Sequence, residues 1–512
     1  MRFSRCLMRF PRRRSLRSAA ALAAACLAAA ASAASPPAAQ AAPAARQHAV
    51  GARPVLSLIV AQRVITTQKH GESVYFDPGV YVGDARAPLQ INVARRSYTS
   101  PVTVTQIIHL RGGRIRLRHL PAWMNDQWNG LTRFLHLTLR TSKGKVVFSQ
   151  DAAFCPANGS AQKTSLGSPQ NPLFPQDGCG SHDPFPRGEV WGIQRGWAAD
   201  PLYSNSYAFT NLKLGTYHAT VRITPRYTRM FHIAARQAVG RVTVNVVNGA
   251  GGGPSNRGSA ASALRPTRLP QAPLRKHPPR DVLPDLIPLP AWDIYVQHLP
   301  GSEGHPGTDL LTFNGTVWNG GNGPLDVEGF RHDSSPVMPA YQYFWRNGHV
   351  IGRVRAGTMG FGKKGAGVWH FHQFAKYRLL KADKKLELNS GKVGFCIAPT
   401  DPVDVLLRHS VWNPQNLGFG RGECGSPSAL WVQEELPVGW GDTYAQYGVG
   451  QAFTINNVPN GTYYIETIAN PEHVLRETNT ANDVTLRKII LGGTAGHRTV
   501  KVPPWHGIDP EP

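Results

Sequence analysis

Two histidines separated by one residue, His370 and His372, directly follow Trp369. In an extended strand, side chains at i and i+2 leave the same face of the sheet. Two imidazoles on one face can donate nitrogen to one metal ion, and imidazole suits copper and zinc. The spacing alone more often marks two surface histidines. An internal comparison separates the readings, because the chain repeats itself.

Trp128 lies 27 residues before Cys155, and Trp369 lies 27 residues before Cys396. Phe154-Cys155 matches Phe395-Cys396, and Cys179-Gly180-Ser181 matches Cys424-Gly425-Ser426. Gly196-Trp197 matches Gly439-Trp440, Ala208-Phe209-Thr210 matches Ala452-Phe453-Thr454, and Gly215-Thr216-Tyr217 matches Gly461-Thr462-Tyr463. The matches keep one order, which identifies two diverged copies of one unit. Residues present in both copies hold the fold. Residues present in one copy are candidates for chemistry. By this comparison His370 falls on Asn129, His372 on Leu131, Lys392 on Asp151 and Tyr444 on Asp200. Tyr447 falls on Tyr203 and reads as structural.

These residues need strands to position them. Thr216–Ile223, Arg241–Val247 and Thr312–Trp318 alternate with period two. Turn dipeptides such as Asn319-Gly320, Asn347-Gly348 and Asn460-Gly461 punctuate the chain. No long segment repeats with a helical period. The expected fold is all-β, with two related β-sandwich-like domains at 50–247 and 285–502. Between them, 248–284 is rich in Gly, Ser, Pro and Arg and reads as a flexible linker.

The first 41 residues read as a cleaved secretory signal. Residues 2–17 carry seven arginines and no acid, and an alanine-rich run follows. Arg13-Arg14 leaves general and twin-arginine export both open. No later stretch is long and apolar enough to span a bilayer as a helix. The expected location is extracellular. The net charge of +25, less the seven leader arginines, leaves about +18. That charge points to anionic cell-wall polymers or to a solvated basic surface, and no nucleic-acid motif accompanies it. Four cysteines follow the leader, two in each copy, at spacings of 24 and 28. Symmetry pairs Cys155 with Cys179 and Cys396 with Cys424. Loops of this size contribute roughly 3 kcal/mol each on closure.

The second copy resembles a lysyl oxidase catalytic domain from about Asp285 to Leu491. The likeness is carried by Asp285-Leu286-Ile287-Pro288, Trp318-Asn319-Gly320-Gly321-Asn322-Gly323-Pro324-Leu325 and Trp369-His370-Phe371-His372 with Tyr377-Arg378-Leu379-Leu380. It continues through Lys392-Val393-Gly394-Phe395-Cys396, Asp442-Thr443-Tyr444 and Glu477-Thr478-Asn479-Thr480-Ala481-Asn482. The first copy resembles the extra N-terminal domain of some bacterial members. The resemblance implies a copper-dependent amine oxidase that turns peptidyl lysine into an aldehyde, with release of ammonia and hydrogen peroxide. It implies a self-derived lysine tyrosylquinone cofactor, with Tyr444 as quinone precursor and Lys392 as its cross-link partner. His370 and His372 become copper ligands. Asp442 is a candidate base, or a turn-forming aspartate.

The family segment carries three alternating histidines, whereas Val368 and Ala366 stand at the preceding alternate positions here. His332, His349 and His409 are the candidates for a further ligand. A degenerate, non-catalytic member that binds a cell surface or matrix is the alternative expectation. A hydrolase is disfavoured, because no G-x-S-x-G motif is present.

Overall fold

The computed structural model describes residues 56–248 and 272–511, except 71, 76, 85–86, 126–127, 166, 170, 177, 181–182, 204–207, 211, 302–306, 332–334, 363–367, 415–423, 426–428 and 449. The expected signal segment and most of the expected linker lie outside the described residues.

Alternation of apolar and polar residues builds the strands. In Gly215–Ile223 the side chains of Tyr217, Ala219, Val221 and Ile223 are buried, while Thr216, His218 and Arg222 face out. The described chain is nearly all β, as expected. Its one α-helix, Pro225–Phe231, starts on a proline, where the missing N–H costs no helical bond. No described helix is long and apolar enough to cross a membrane.

The repeat read from the sequence reappears in the strand order. In the first half Leu56–Val60, Val80–Asp84, Trp197–Ala199 and Gln162–Lys163 pair in that order. In the second half Leu286–Pro288, Thr308–Asn319, Trp440–Tyr444 and Asp401–Pro402 do the same. A second sheet runs Gly188–Ile193, Leu89–Ala94, Thr103–His109, Ile115–Leu120. Its counterpart runs Trp431–Leu436, Leu325–Phe330, Val337–Arg346, His349–Phe361, and then adds Trp369–Phe371. A third set, Val239–Asn248, Gly215–Ile223, Leu131–Thr141, Val146–Phe154, matches Val484–Thr494, Gly461–Ala469, Ala375–Lys381, Leu386–Asn389.

Local details repeat as well. Tyr217 donates its hydroxyl to the carbonyl of Lys213, and Tyr463 donates to that of Pro459, each four residues back. Arg95 lies over Trp128, and Arg331 lies over Trp369. Gly180 and Gly425 both have φ of 65°, a conformation that other residues rarely adopt. Both expected disulfides form, Cys155–Cys179 and Cys396–Cys424. Tyr203 and Tyr447, read as structural, are instead 57% and 88% exposed. Neither contributes to a core.

Each half has its own core. Trp191 anchors the first, and Trp369 and Trp440 anchor the second. Full burial of one such side chain stabilises the fold by roughly 3 kcal/mol. A third cluster joins the halves: Phe185 packs with Leu289, Trp318 and Val403, beside Tyr98 and Trp505. Phe174 stacks on Trp412 at 5.8 Å. The described end of the expected linker is also packed. Leu274 bridges Arg353, and Val282 is buried. The ordered chain runs past 502, because Glu511 accepts from Arg487 at 2.9 Å.

Candidate active site

The two histidines stand on the short strand Trp369–Phe371 and just beyond it. That strand pairs with the end of His349–Phe361, with His370 opposite Gly360. Its other edge bonds to the segment that carries Lys392. Phe371 and Phe395 exchange backbone hydrogen bonds of 2.8 and 2.9 Å. Trp369 also donates its N–H to the carbonyl of Cys424, at 2.6 Å.

Glycines make room for the imidazoles. A Cβ on Gly394 would stand 2.7 Å from the Cβ of His370 and 3.4 Å from the His372 ring. A Cβ on Gly360 would meet His372 at 2.6 Å, and one on Gly362 would meet His370 at 3.2 Å. The two rings therefore share one glycine-lined shelf, as the spacing predicts. Burial holds the pKa of both below the usual histidine value. For His370 the positive charge of Lys392 and the neighbouring His372 add to this. The shift favours the neutral form, which can offer a nitrogen lone pair to a metal.

The copper expectation meets a limit here. Among the described residues no group of three His, Cys, Asp or Glu could hold a metal ion. His349 and His409 are both exposed and belong to no such group. His332 lies outside the described residues. The described donors supply two imidazoles and do not complete a copper site.

Lys392 and Tyr444 meet. The Nζ of Lys392 lies 4.2 Å from the centroid of the Tyr444 ring and 5.3 Å from that of Phe395. Burial lowers the pKa of the lysine amine, and Asp442 opposes the shift. The neutral amine is the nucleophilic form. Tyr444 ends the strand Trp440–Tyr444, with Gly315 opposite it. Phe395 holds the Tyr444 ring edge-on at 4.9 Å. Tyr444 is partly exposed as a residue, but its hydroxyl oxygen is buried and makes no hydrogen bond of ordinary geometry.

Beneath that ring lies a carboxylate group that sequence reasoning saw only in part. Asp442 is 2% exposed, and its Oδ2 has no hydrogen-bond partner of ordinary geometry among the described residues. Burial raises its pKa well above the carboxylate range, and Lys392 counteracts this. Glu434 is fully buried, and burial raises its pKa in the same way. Its Oε2 accepts from the N–H of Ile397 at 3.1 Å, while its Oε1 has no partner among the described residues. Buried, incompletely partnered acids are costly, and they concentrate where proton transfer is needed.

Glu434 was missed because it arrives on a strand remote in sequence. A signal was present in Glu434-Glu435, two acids inside a segment that folds as a buried strand. The first half makes the contrast. Counted from the residues paired with Leu89 and Leu325, Trp191 takes the place of Glu434. Counted from Trp197 and Trp440, Ala199 replaces Asp442 and Pro201 replaces Tyr444. Tyr444 therefore does not fall on Asp200, because the copies differ in length by one residue after the tryptophan. Asp151, in the place of Lys392, instead bonds His136 at 2.8 Å. The first copy fills these positions with apolar side chains or a surface hydrogen bond.

The arrangement brings together His370, His372, Lys392, Asp442 and Tyr444, all five singled out from the sequence, and adds Glu434. No protein-family model matches the chain, and no curated protein matches it.

Proposed function

We propose that the chain is an exported amine oxidase of the lysyl oxidase kind, acting on the ε-amine of peptidyl lysine. The observation that carries this reading is the Lys392 amine over the Tyr444 ring, in the one half that has both residues. The net reaction consumes the amine, dioxygen and water, and yields an aldehyde, ammonia and hydrogen peroxide. A quinone built from Tyr444 and Lys392 would supply the electrophilic carbonyl that the substrate amine attacks.

The chain's own residues account for the rest. Lys392 is held by its segment within reach of the ring, with burial favouring its neutral form. Asp442 and Glu434 are buried groups able to hold or accept a proton beside Tyr444. Phe395 fixes the plane of the ring. His370 and His372 would bind copper through nitrogen, together with a donor from outside the described residues or from solvent. The strong positive charge of the chain supports a second partner, an anionic polymer of the cell wall.

Intact-mass and metal analysis of copper-reconstituted protein tests the reading. Bound copper, a quinone absorbance and a Lys392–Tyr444 cross-linked peptide are expected, with peroxide release from lysine-containing peptides. Val368 and Ala366, standing where the family segment carries histidines, motivate one competitor, a non-catalytic binding protein on the same fold. Absence of copper and of the cross-link after reconstitution would decide for it.

A further inference from the structure

Charge is divided unequally between the halves. Residues 56–248 carry 22 Lys and Arg against 9 Asp and Glu, whereas residues 285–512 carry 19 against 21. The basic character belongs to the half without the lysine–tyrosine pair. Two stretches of that half, 85–125 and 201–248, contain no acid at all.

The fold brings parts of these stretches together. Ile115–Leu120 is the outer strand of its sheet, and the helix Pro225–Phe231 follows on an acid-free segment. Arg118 donates to the carbonyl of Met230 at 3.0 Å and ties the two. Two hollows adjoin at Met230. One, of about 310 Å³, is bounded by Arg116, Leu117, Arg118 and His232. The other, of about 520 Å³, is bounded by Trp123, Arg226 and Arg229. The Arg226 guanidinium stands 5.2 Å from the centre of the Trp123 ring. Arg116, Arg226 and Arg229 are exposed. Trp123 and Leu117 are 39% and 56% exposed. Among the described residues no carboxylate lines either hollow.

We propose that this face is a binding groove for an acidic polysaccharide. Guanidinium forks match carboxylate groups in geometry and charge. An exposed indole offers an apolar plate against which a sugar ring can lie. Open, adjoining hollows suit a polymer better than a small enclosed ligand. The disulfides favour a glycan outside the cell over a nucleic acid inside it. This deepens the polymer-binding part of the reading above and does not depend on the oxidase part.

Binding of the full chain to polygalacturonate, with neutral dextran as control, tests the groove. A combined R116E/R226E/R229E variant should bind more than about tenfold more weakly, since charged hydrogen bonds are lost. Trp123→Ala should weaken binding without changing its salt dependence. A variant with the same charge change at exposed Lys143, Lys145 and Lys213 should bind almost as the parent does. Equal loss in both triple variants would overturn the groove in favour of diffuse attraction, and so would equal affinity for duplex DNA. Melting curves establish that the variants are folded, and Arg229→Glu alone repeats the test with the smallest change. Tyr444→Phe should bind the polymer unchanged, which separates a failure of this site from a failure of the oxidase reading.

Discussion

The amine of Lys392 and the ring of Tyr444 stand 4.2 Å apart, centre to nitrogen, although 52 positions separate them in the chain. A strand end supplies the ring, and a segment pinned to the histidine strand supplies the amine. Peptide mapping after copper reconstitution should therefore find the two residues in one cross-linked species. Lys392→Met and Tyr444→Phe should each abolish that species and lower peroxide release by at least about 10³-fold, as removal of a covalent catalytic group does elsewhere. Turnover retained in Tyr444→Phe would remove the proposed cofactor.

Gly450 sits behind Lys392 with φ of 81°. A Cβ there would stand 2.6 Å from the Lys392 nitrogen and from the Gly391 carbonyl carbon. Both are backbone atoms, so Lys392 must move. Gly450→Ala should cost about 1–3 kcal/mol of stability through φ strain and collision, and should also reduce cross-link yield. Gly496→Ala is the control. Its φ of 83° carries the same strain, but nothing lies within 4 Å. An unchanged yield in Gly450→Ala would show that the position of Lys392 is not critical.

The two imidazoles differ in exposure. His370 is half-buried and flanked by Gly362 and Gly394, whereas His372 is exposed. Competition against a chromophoric chelator should show copper affinity falling by roughly 10-fold or more in His370→Ala, and by less in His372→Ala. Affinity unchanged in both variants would place copper elsewhere. Gly394→Ala should mimic His370→Ala without removing a ligand.

The second half should lose stability as pH rises. Burial pushes Glu328 up to about 9, with Asp326 adding to it, and pushes Asp326 itself up to about 7. An unfolded chain releases these protons near pH 4 to 4.5. Between there and about 9 the native state holds more protons, so unfolding becomes easier as pH increases. The stabilisation from these protonated acids is full below that window and lost above it. Thermal unfolding should give a higher Tm at the acidic end than at the alkaline end. Glu328→Gln keeps an acceptor for Trp431, which donates at 2.6 Å, and should flatten the slope. A slope unaltered in that variant would assign the effect to other groups.

Much of this arrangement was legible in the sequence because duplication supplies its own control. The order of Trp, Cys, Gly-Trp and Ala-Phe-Thr matches foretold the repeated strand order, and paired spacings foretold both disulfides. His370 and His372 could be placed on one face because a strand has period two. Glu434 could not be placed, since strand pairing across the sheet is not written in local spacing. The burial of Asp442 escaped for a related reason: besides Tyr444 on its own strand, its environment is made by Lys392 and Glu434, which arrive from two other segments. Tyr447 was read as structural because it agrees between copies, yet it is 88% exposed. Two exposed tyrosines agree just as well.

The Cys396–Cys424 disulfide is where the chemistry of the compartment enters the site. Cys396 follows Phe395, whose backbone pairs with the histidine strand, and the Cys424 carbonyl holds Trp369 in that same strand. Removing either bond of the pair Cys155–Cys179 and Cys396–Cys424 should cost about 3 kcal/mol. Only Cys396→Ser with Cys424→Ser should also loosen the Lys392 segment and cut the cross-link yield, read by the same peptide map. Equal yields in the two double variants would defeat this expectation. The bond thus works as a clock. While thiols are kept reduced, the Phe371–Phe395 backbone bonds remain but the covalent tie between the two segments is missing. Were the chain the exported oxidase proposed above, its centre would gain this covalent tie only in an oxidising compartment.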